Sequence, residues 1–275
     1  MKKQVKIALM SNAGGSGKTT LAVNIGYELA YAGQSVCLFG FDPNASLTMF
    51  VGLDEPEPDQ TLDRVLSKNF DGSWPLFNCW SERTEKVQAC LGGLVMAQTA
   101  ERLTTDDRKT QILSDRLEDF PLPHDFLIYD CPGTIDILHK IVLTACDYVL
   151  IPIQPDHKDM LGCGTLLNWI FEMITALRLK PAPKILGVVP NRVRLNDRAA
   201  HRDNLGLSNR PKTEEDPPTL SEILASMDIH CFSLIKDSAE LGNASSLGLP
   251  LRIHRPGHAA NKNFQEIAQA IMEAK

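Results

Sequence analysis

The chain has 275 residues, 43% of them hydrophobic, which is ample for the buried core of one large α/β domain. Its formal net charge of −6, from 28 basic and 34 acidic residues, excludes wholesale coating by nucleic acid and leaves room for a local basic patch. Seven cysteines without a C-x-x-C pair, no apolar leader ahead of the first strand, and no apolar run near the roughly 20 residues of a bilayer span point to a reduced, cytoplasmic, non-membrane protein.

Val5 to Met10 is an apolar run that reads as a first strand, and from Leu21 an amphipathic helix follows, with Leu21, Ile25 and Leu29 on one stripe and Gly33 as its C-cap. Between them lies Ser11 to Thr20, SNAGGSGKTT. Glycines at 14, 15 and 17 let a backbone curl around a polyphosphate, and the helix N-terminus adds its dipole and free N–H groups. Lys18 supplies charge for the outer phosphates and Thr19 a hydroxyl for Mg²⁺. Asn12 stands where the strict phosphate-loop pattern has glycine, but the strand-loop-helix context makes this a nucleotide site.

Val36 to Phe39 reads as a second strand leading to Gly40, Phe41 and Asp42, so Asp42 falls at a strand's C-terminal end, where ligands bind in a doubly wound sheet. Residues 54–90 lack a clean period and read as a loop followed by short helices. Leu94 to Gln98 reads as a strand, and Thr104 to Phe120 as a helix with Ile112, Leu113 and Leu117 on one face. Phe126 to Tyr129 is an apolar strand ending at Asp130, before the turn Cys131-Pro132-Gly133. A carboxylate there is the expected partner of a phosphate loop, holding Mg²⁺ through its water shell. Cys131 beside it reads as a small core residue rather than a ligand.

Val149 to Ile153 and Ile185 to Val189 are further buried strands, separated by an apolar helix from about Leu161 to Leu179. Strand and helix therefore alternate. The fold class is α/β, a doubly wound, mostly parallel sheet with helices on both faces, in a single domain over 1–275. Arg194 to Pro218 changes to Arg, Asn, Asp, Pro and Glu, and 195–219 reads as a mobile insertion. Residues 229–235 read as a last strand. Phe264 to Ala274 reads as a closing helix that packs on the sheet, since its polar face carries Gln265, Glu266, Gln269 and Glu273 where a membrane anchor wants Lys and Arg.

AGGSGKTT, FDPNASLT, YDCPGTID, DYVLIPIQPD, ILGVVPNRV and PLRIHRPGHAANKNFQEIAQAI, in that order, resemble the ParA/MinD family of deviant-Walker P-loop ATPases over nearly the whole chain. The resemblance implies ATP and Mg²⁺ as cofactors. Gly14, Gly15, Ser16, Gly17, Lys18, Thr19 and Thr20 would hold the phosphates, Thr19 and Asp130 the metal, Asp42 the attacking water, and Asn191 the adenine edge. It further implies an ATP-dependent homodimer, non-specific DNA binding on the nucleoid, and an adaptor that stimulates hydrolysis to position a carboxysome-like body, plasmid or chromosome.

Three residues depart from that pattern. Ala13 replaces the lysine that relatives carry before the glycine pair, a loss resembling the McdA branch, which distributes carboxysomes over the nucleoid. Gly40 replaces an acidic residue often found two positions before Asp42, and Glu240 falls where chromosome-partition relatives often carry a basic, DNA-contacting residue. Lys158, in PDHKDM at the sheet's C-terminal edge, is the candidate replacement for the lysine. Arg192, Arg194, Arg198, Arg202, Arg252, Arg255 and Lys262 are the candidate DNA contacts. The competing readings are an ATP-dependent ligase or small-molecule kinase, which would show burst kinetics with an acceptor, and a MinD-like membrane-cycling switch.

Overall fold

Seven strands line up in the order β3-β4-β2-β5-β1-β6-β7 in the computed structural model, which describes residues 4–104, 110–208, 213 and 216–275. They are β1 (Val5–Leu9), β2 (Val36–Gly40), β3 (Phe77–Asn78), β4 (Val87–Cys90), β5 (Phe126–Asp130), β6 (Tyr148–Ile153) and β7 (Lys184–Pro190). Every pairing is parallel except that of β3 with β4, which is antiparallel at the edge.

The central strands are buried on both faces, which is why they read as continuous apolar runs rather than alternating ones. Their alternate residues feed two cores. Phe39, Tyr129 and Ile151 pack on one face under α6 (Ile137–Ala145) and α7 (His157–Ala176). Leu38, Ile128 and Leu150 pack on the other against Leu21 and Ile25 of α1 (Lys18–Tyr31) and Phe264 and Ile267 of α12 (Ala260–Glu273). The doubly wound arrangement follows.

Register brings the ligand edge together. Leu9 of β1 and Gly40 of β2 both pair with Asp130 of β5, so the three strands finish at one level. The connection from β1 runs over β5 to β2, whereas that from β5 runs over β1 to β6; the reversal opens a crevice at the carboxyl ends of these strands.

The remaining helices differ most from expectation. Leu94 to Gln98 is not a strand: after a turn, Met96 opens α4 (Met96–Thr104), because Met96, Thr99 and Leu103 are buried at helical spacing. The strand of that region is β4, inside the stretch expected to be loop and helix, where α3 (Leu62–Val65) also lies. The expected helix over 104–120 is described as α5 (Ile112–Asp119), with 105–109 outside the described residues. Within 229–235 only Cys231 makes a single bridge, with Val188, and Lys236 just beyond makes another with Val193, so no eighth strand forms there among the described residues. Phe232 and Ile235, three apart, are both buried in the core against α1 and α12, whereas a strand would turn residues three apart to opposite faces; Ile229 packs in the other core. Within the expected insertion, α8 (Ala199–Asn204) is ordered helix, followed by α9 (Leu220–Ser226); residues 209–212 and 214–215 lie outside the described residues.

A buried ion pair clamps α1 to α11 (Leu251–His254): Arg252 Nε donates to Glu28 Oε1 at 2.7 Å, and the guanidinium lies over the Tyr31 ring. Burial raises the Glu28 carboxyl and Arg252 opposes the shift. Arg252→Ala strands that carboxylate, so we expect a loss of about 3 kcal/mol in urea unfolding, whereas exchanging both partners for apolar residues should cost far less.

Candidate nucleotide site

The loop between β1 and α1 is shaped by its glycines and by contacts from the end of β7. Gly15 and Gly17 have φ of 77° and 93°, left-handed values that a side chain resists. A Cβ on Gly17 would also lie 2.1 Å from Asn191 Nδ2, so glycine is required there twice over. Asn191, buried just past β7, donates from Nδ2 to the Ser16 carbonyl at 2.8 Å, and its neighbour Arg192 donates from Nη1 to the Gly15 carbonyl at 2.8 Å. These two contacts turn the carbonyls of Gly15 and Ser16 toward β7.

Beneath the loop, Thr19 Oγ1 donates to Asp130 Oδ2 at 2.7 Å. Asp130 is fully buried and its Oδ1 has no hydrogen-bond partner among the described residues. Burial pushes its carboxyl up to about 7, against the pull of Thr19 and Lys18. Lys18 Nζ donates to the Ala13 carbonyl at 3.2 Å; burial lowers its ammonium, and Asp130, Cys131, Asp42 and Asp159 offset part of that. An orphaned carboxylate oxygen beside a hydroxyl, with an ammonium near, fits a hydrated divalent cation and phosphate oxygens.

Asp42 sits two residues past the end of β2, with Oδ1 accepting from the Asn44 backbone N–H and from Asn44 Nδ2, both at 2.9 Å. It lines a cavity of about 590 Å³ together with Gly14, Gly15, Gly17, Lys18, Thr19, Thr20 and Asn191. The far wall is Met49, Phe50, Leu241 and Ser245, from α2 (Ser46–Phe50) and α10 (Ala239–Ser246), apolar enough for a flat base. Lys158 stands apart from this cavity. Exposed near the start of α7, it lines a separate cleft of about 110 Å³ whose other residues include Ser11, Asn12 and Ala13.

Sequence reasoning did not single out that far wall or Asp237, which sits at the cavity and pairs with both Arg192 and Arg194. The small-residue run Ala239 to Ser246, directly after Asp237, was the available signal.

A glycine cradle, a buried lysine, and a threonine-carboxylate pair at the reversal point of a parallel sheet define a P-loop nucleotide-binding protein. The AAA domain family matches residues 4–181, and the chain belongs to it, with its relatives in the ParA/MinD group. It is 30% identical over 164 residues to the sporulation initiation inhibitor protein Soj of Bacillus subtilis, covering 60% of this chain and 64% of Soj, just under two thirds of that relative. To the maintenance of carboxysome distribution protein A of Synechococcus elongatus it is 29% identical over 221 residues, covering 80% and 85% of the two chains. Among solved structures, apo McdA from Cyanothece superposes with a TM-score of 0.79 over 98% of this chain and all of that one at 20% identity, a likeness of fold.

Proposed function

We propose that this chain is a ParA-type ATPase working as a switch: ATP closes two copies into a dimer, the dimer binds DNA through phosphates, and an adaptor triggers hydrolysis, so that a cargo is positioned. The observation that carries the nucleotide half of this reading is the Asp130 Oδ1 left without a partner beside Thr19, under a glycine loop. In this reading Gly14 to Thr20 and Lys18 hold the phosphates, and Thr19 and Asp130 hold Mg²⁺. A divalent cation held there would supply positive charge to offset the negative charge of the phosphates. Asp42, oriented by Asn44, positions the water that attacks the γ-phosphorus as the bond to ADP breaks.

Asn191 takes a second role here. Its Nδ2 is engaged with the Ser16 carbonyl, so it fixes the loop, while its place on the cavity lining leaves a base within reach. The likeness to the Synechococcus protein, over 80% of this chain, supports a carboxysome-like cargo. In the described residues no helix is long and apolar enough to cross a membrane. A protein that remains monomeric by light scattering at saturating ATP would overturn the switch.

The candidate DNA contacts are largely neutralised. Arg192 and Arg194 pair with Asp237, Arg198 with Asp156, Arg252 with Glu28 and Arg255 with Glu240, while Arg202 donates to the Leu195 carbonyl. Phosphate binding has to compete with each of those carboxylates. We therefore expect ATP-dependent DNA binding that is blind to base sequence and lost between about 50 and 200 mM salt in a filter or gel assay. Binding that survives high salt would contradict this.

Lys158 is proposed to supply the cation that Ala13 lacks. It faces the same cleft as Ala13 from an exposed position, so it can reach a second copy's phosphates. Lys158→Ala should cut hydrolysis by about 10³-fold, the scale of a cation supplied across an interface, and weaken ATP-dependent dimerisation. If both are unchanged, Arg192, already on the loop, becomes the cation to test.

A further inference from the structure

Two segments flank the phosphate loop from separate strands. One follows β7 and touches the loop directly, through Asn191 on Ser16 and Arg192 on Gly15. The other follows β6 and opens α7, where Lys158 and Asp159 share the cleft with Ser11 to Ala13. His201, on α8, joins them. Its side chain is fully buried; Nδ1 accepts the Arg194 backbone N–H at 2.9 Å, and Nε2 lies 3.0 Å from Asp156 Oδ1. An acceptor at Nδ1 requires the proton on Nε2, which then donates to Asp156.

The neighbours strengthen the same junction. Arg198 Nη1 donates to the other oxygen of Asp156 at 2.8 Å, and Asn204 Nδ2 donates to the Pro155 carbonyl at 2.8 Å. Asp156 itself accepts, through its backbone carbonyl, the N–H groups of Asp159 and Met160 in the first turn of α7. Movement of Asp156 therefore carries Lys158 and Asp159 with it, and movement of Arg194 carries the Asn191-Arg192 pair. His201 fixes the distance between the two.

We propose that His201 is a positioning residue of the ATP site, which sets the phosphate loop's two flanking segments relative to each other by bridging Arg194 and Asp156. The inference rests on the ATPase reading above. It gives α8 a task that composition alone conceals: the stretch 195–219 reads as solvated insertion, yet α8 within it places a buried imidazole between two arms of the site.

Cutting either end should break the bridge while keeping the other. His201→Asn retains an acceptor near Nδ1 for Arg194, and His201→Gln retains a donor near Nε2 for Asp156. Thr99→Ala, which removes a buried hydrogen bond from α4 to Asp63 and touches neither flanking segment, is the control for simple destabilisation. With ATP hydrolysis and fluorescent-nucleotide binding measured well below the melting temperature, His201→Ala, His201→Asn and His201→Gln should each lower kcat about tenfold or more, the scale of sub-ångström misplacement. KM should move less than about threefold, because Lys18 and the loop N–H groups still hold ATP.

The Thr99→Ala chain should hydrolyse at close to the wild-type rate. Wild-type kcat in all three His201 variants, or an equal loss in Thr99→Ala, would make His201 a structural residue only and overturn the proposal. Should His201→Ala fail to fold, the two conservative variants still decide it. A wild-type protein that neither binds nor hydrolyses ATP overturns both readings together, whereas active wild type with unaffected variants overturns this one alone.

Discussion

Replacing Asp42 with Ala should slow ATP hydrolysis by about 10²-fold to 10⁴-fold, the range spanned by a positioned proton acceptor, while ATP binding stays close to that of the unmodified chain. The two effects separate because Asp42 comes from a different strand than the cradle. It lies two residues beyond Gly40, which pairs with Asp130, and its Oδ1 is fixed by both donors of Asn44. Nothing in the set Gly14 to Thr20 depends on it through a hydrogen bond among the described residues. Lost kcat with retained KM is the signature of a group that acts in the transition state alone. If the closed dimer opens by hydrolysis, the Asp42→Ala chain should accumulate as a dimer. Phosphate release and light scattering measured on one preparation test both halves, and a monomer at saturating ATP would count against the switch.

The central part of this site was legible because parallel strands advertise themselves. Val5 to Leu9, Phe126 to Asp130 and Tyr148 to Ile153 are buried on both faces, so each is an apolar run that ends where its polar ligand-edge residues begin. The glycine loop is equally local, since its φ values and helix start are written in consecutive residues. The edge of the sheet was not legible. Val87 to Cys90 is only four residues with Gln88 inside, and its partner β3 has two, too little for a period to show. Leu94 to Gln98 misled because a short apolar run suits strand and helix alike, and only Thr99 and Leu103 beyond it reveal the helical spacing.

What holds the loop was hidden for a different reason. Asn191 and Arg192 meet Ser16 and Gly15 across 175 and 177 residues, and His201 meets Asp156 across 45. Such contacts exist because β6 lies beside β1 and β7 beside β6 in the sheet, a fact of topology rather than of local pattern. Six arginines read as DNA contacts were visible as charges; their carboxylate and carbonyl partners were visible only in three dimensions.

Asp130→Asn should abolish Mg²⁺-dependent hydrolysis and at the same time stabilise the nucleotide-free protein. The carboxyl is fully buried, with Oδ1 unpartnered, and burial pushes it up to about 7 from the ordinary value near 4. A group whose native value lies above its unfolded one binds a proton in the folded state that the unfolded chain has already released. Apo stability should therefore decline as pH rises from about 4 to about 7, and above that the charged carboxylate sits buried at full cost. A rise of that size corresponds to about 4 kcal/mol gross. Asparagine removes the charge yet keeps an amide that can meet the Thr19 hydroxyl. Part of the gain is lost again, because Asp130 is the largest charge favouring the ammonium of Lys18, which burial already lowers. The net expectation is about 1–2 kcal/mol at pH 8, shrinking toward zero at pH 5, in urea unfolding with a chelator present. Excess Mg²⁺ and ATP should reverse the order by stabilising only the unmodified chain. An Asp130→Asn protein less stable than its parent at pH 8, or one that still hydrolyses ATP at the parental rate, would show that the buried carboxylate serves the fold and not the metal.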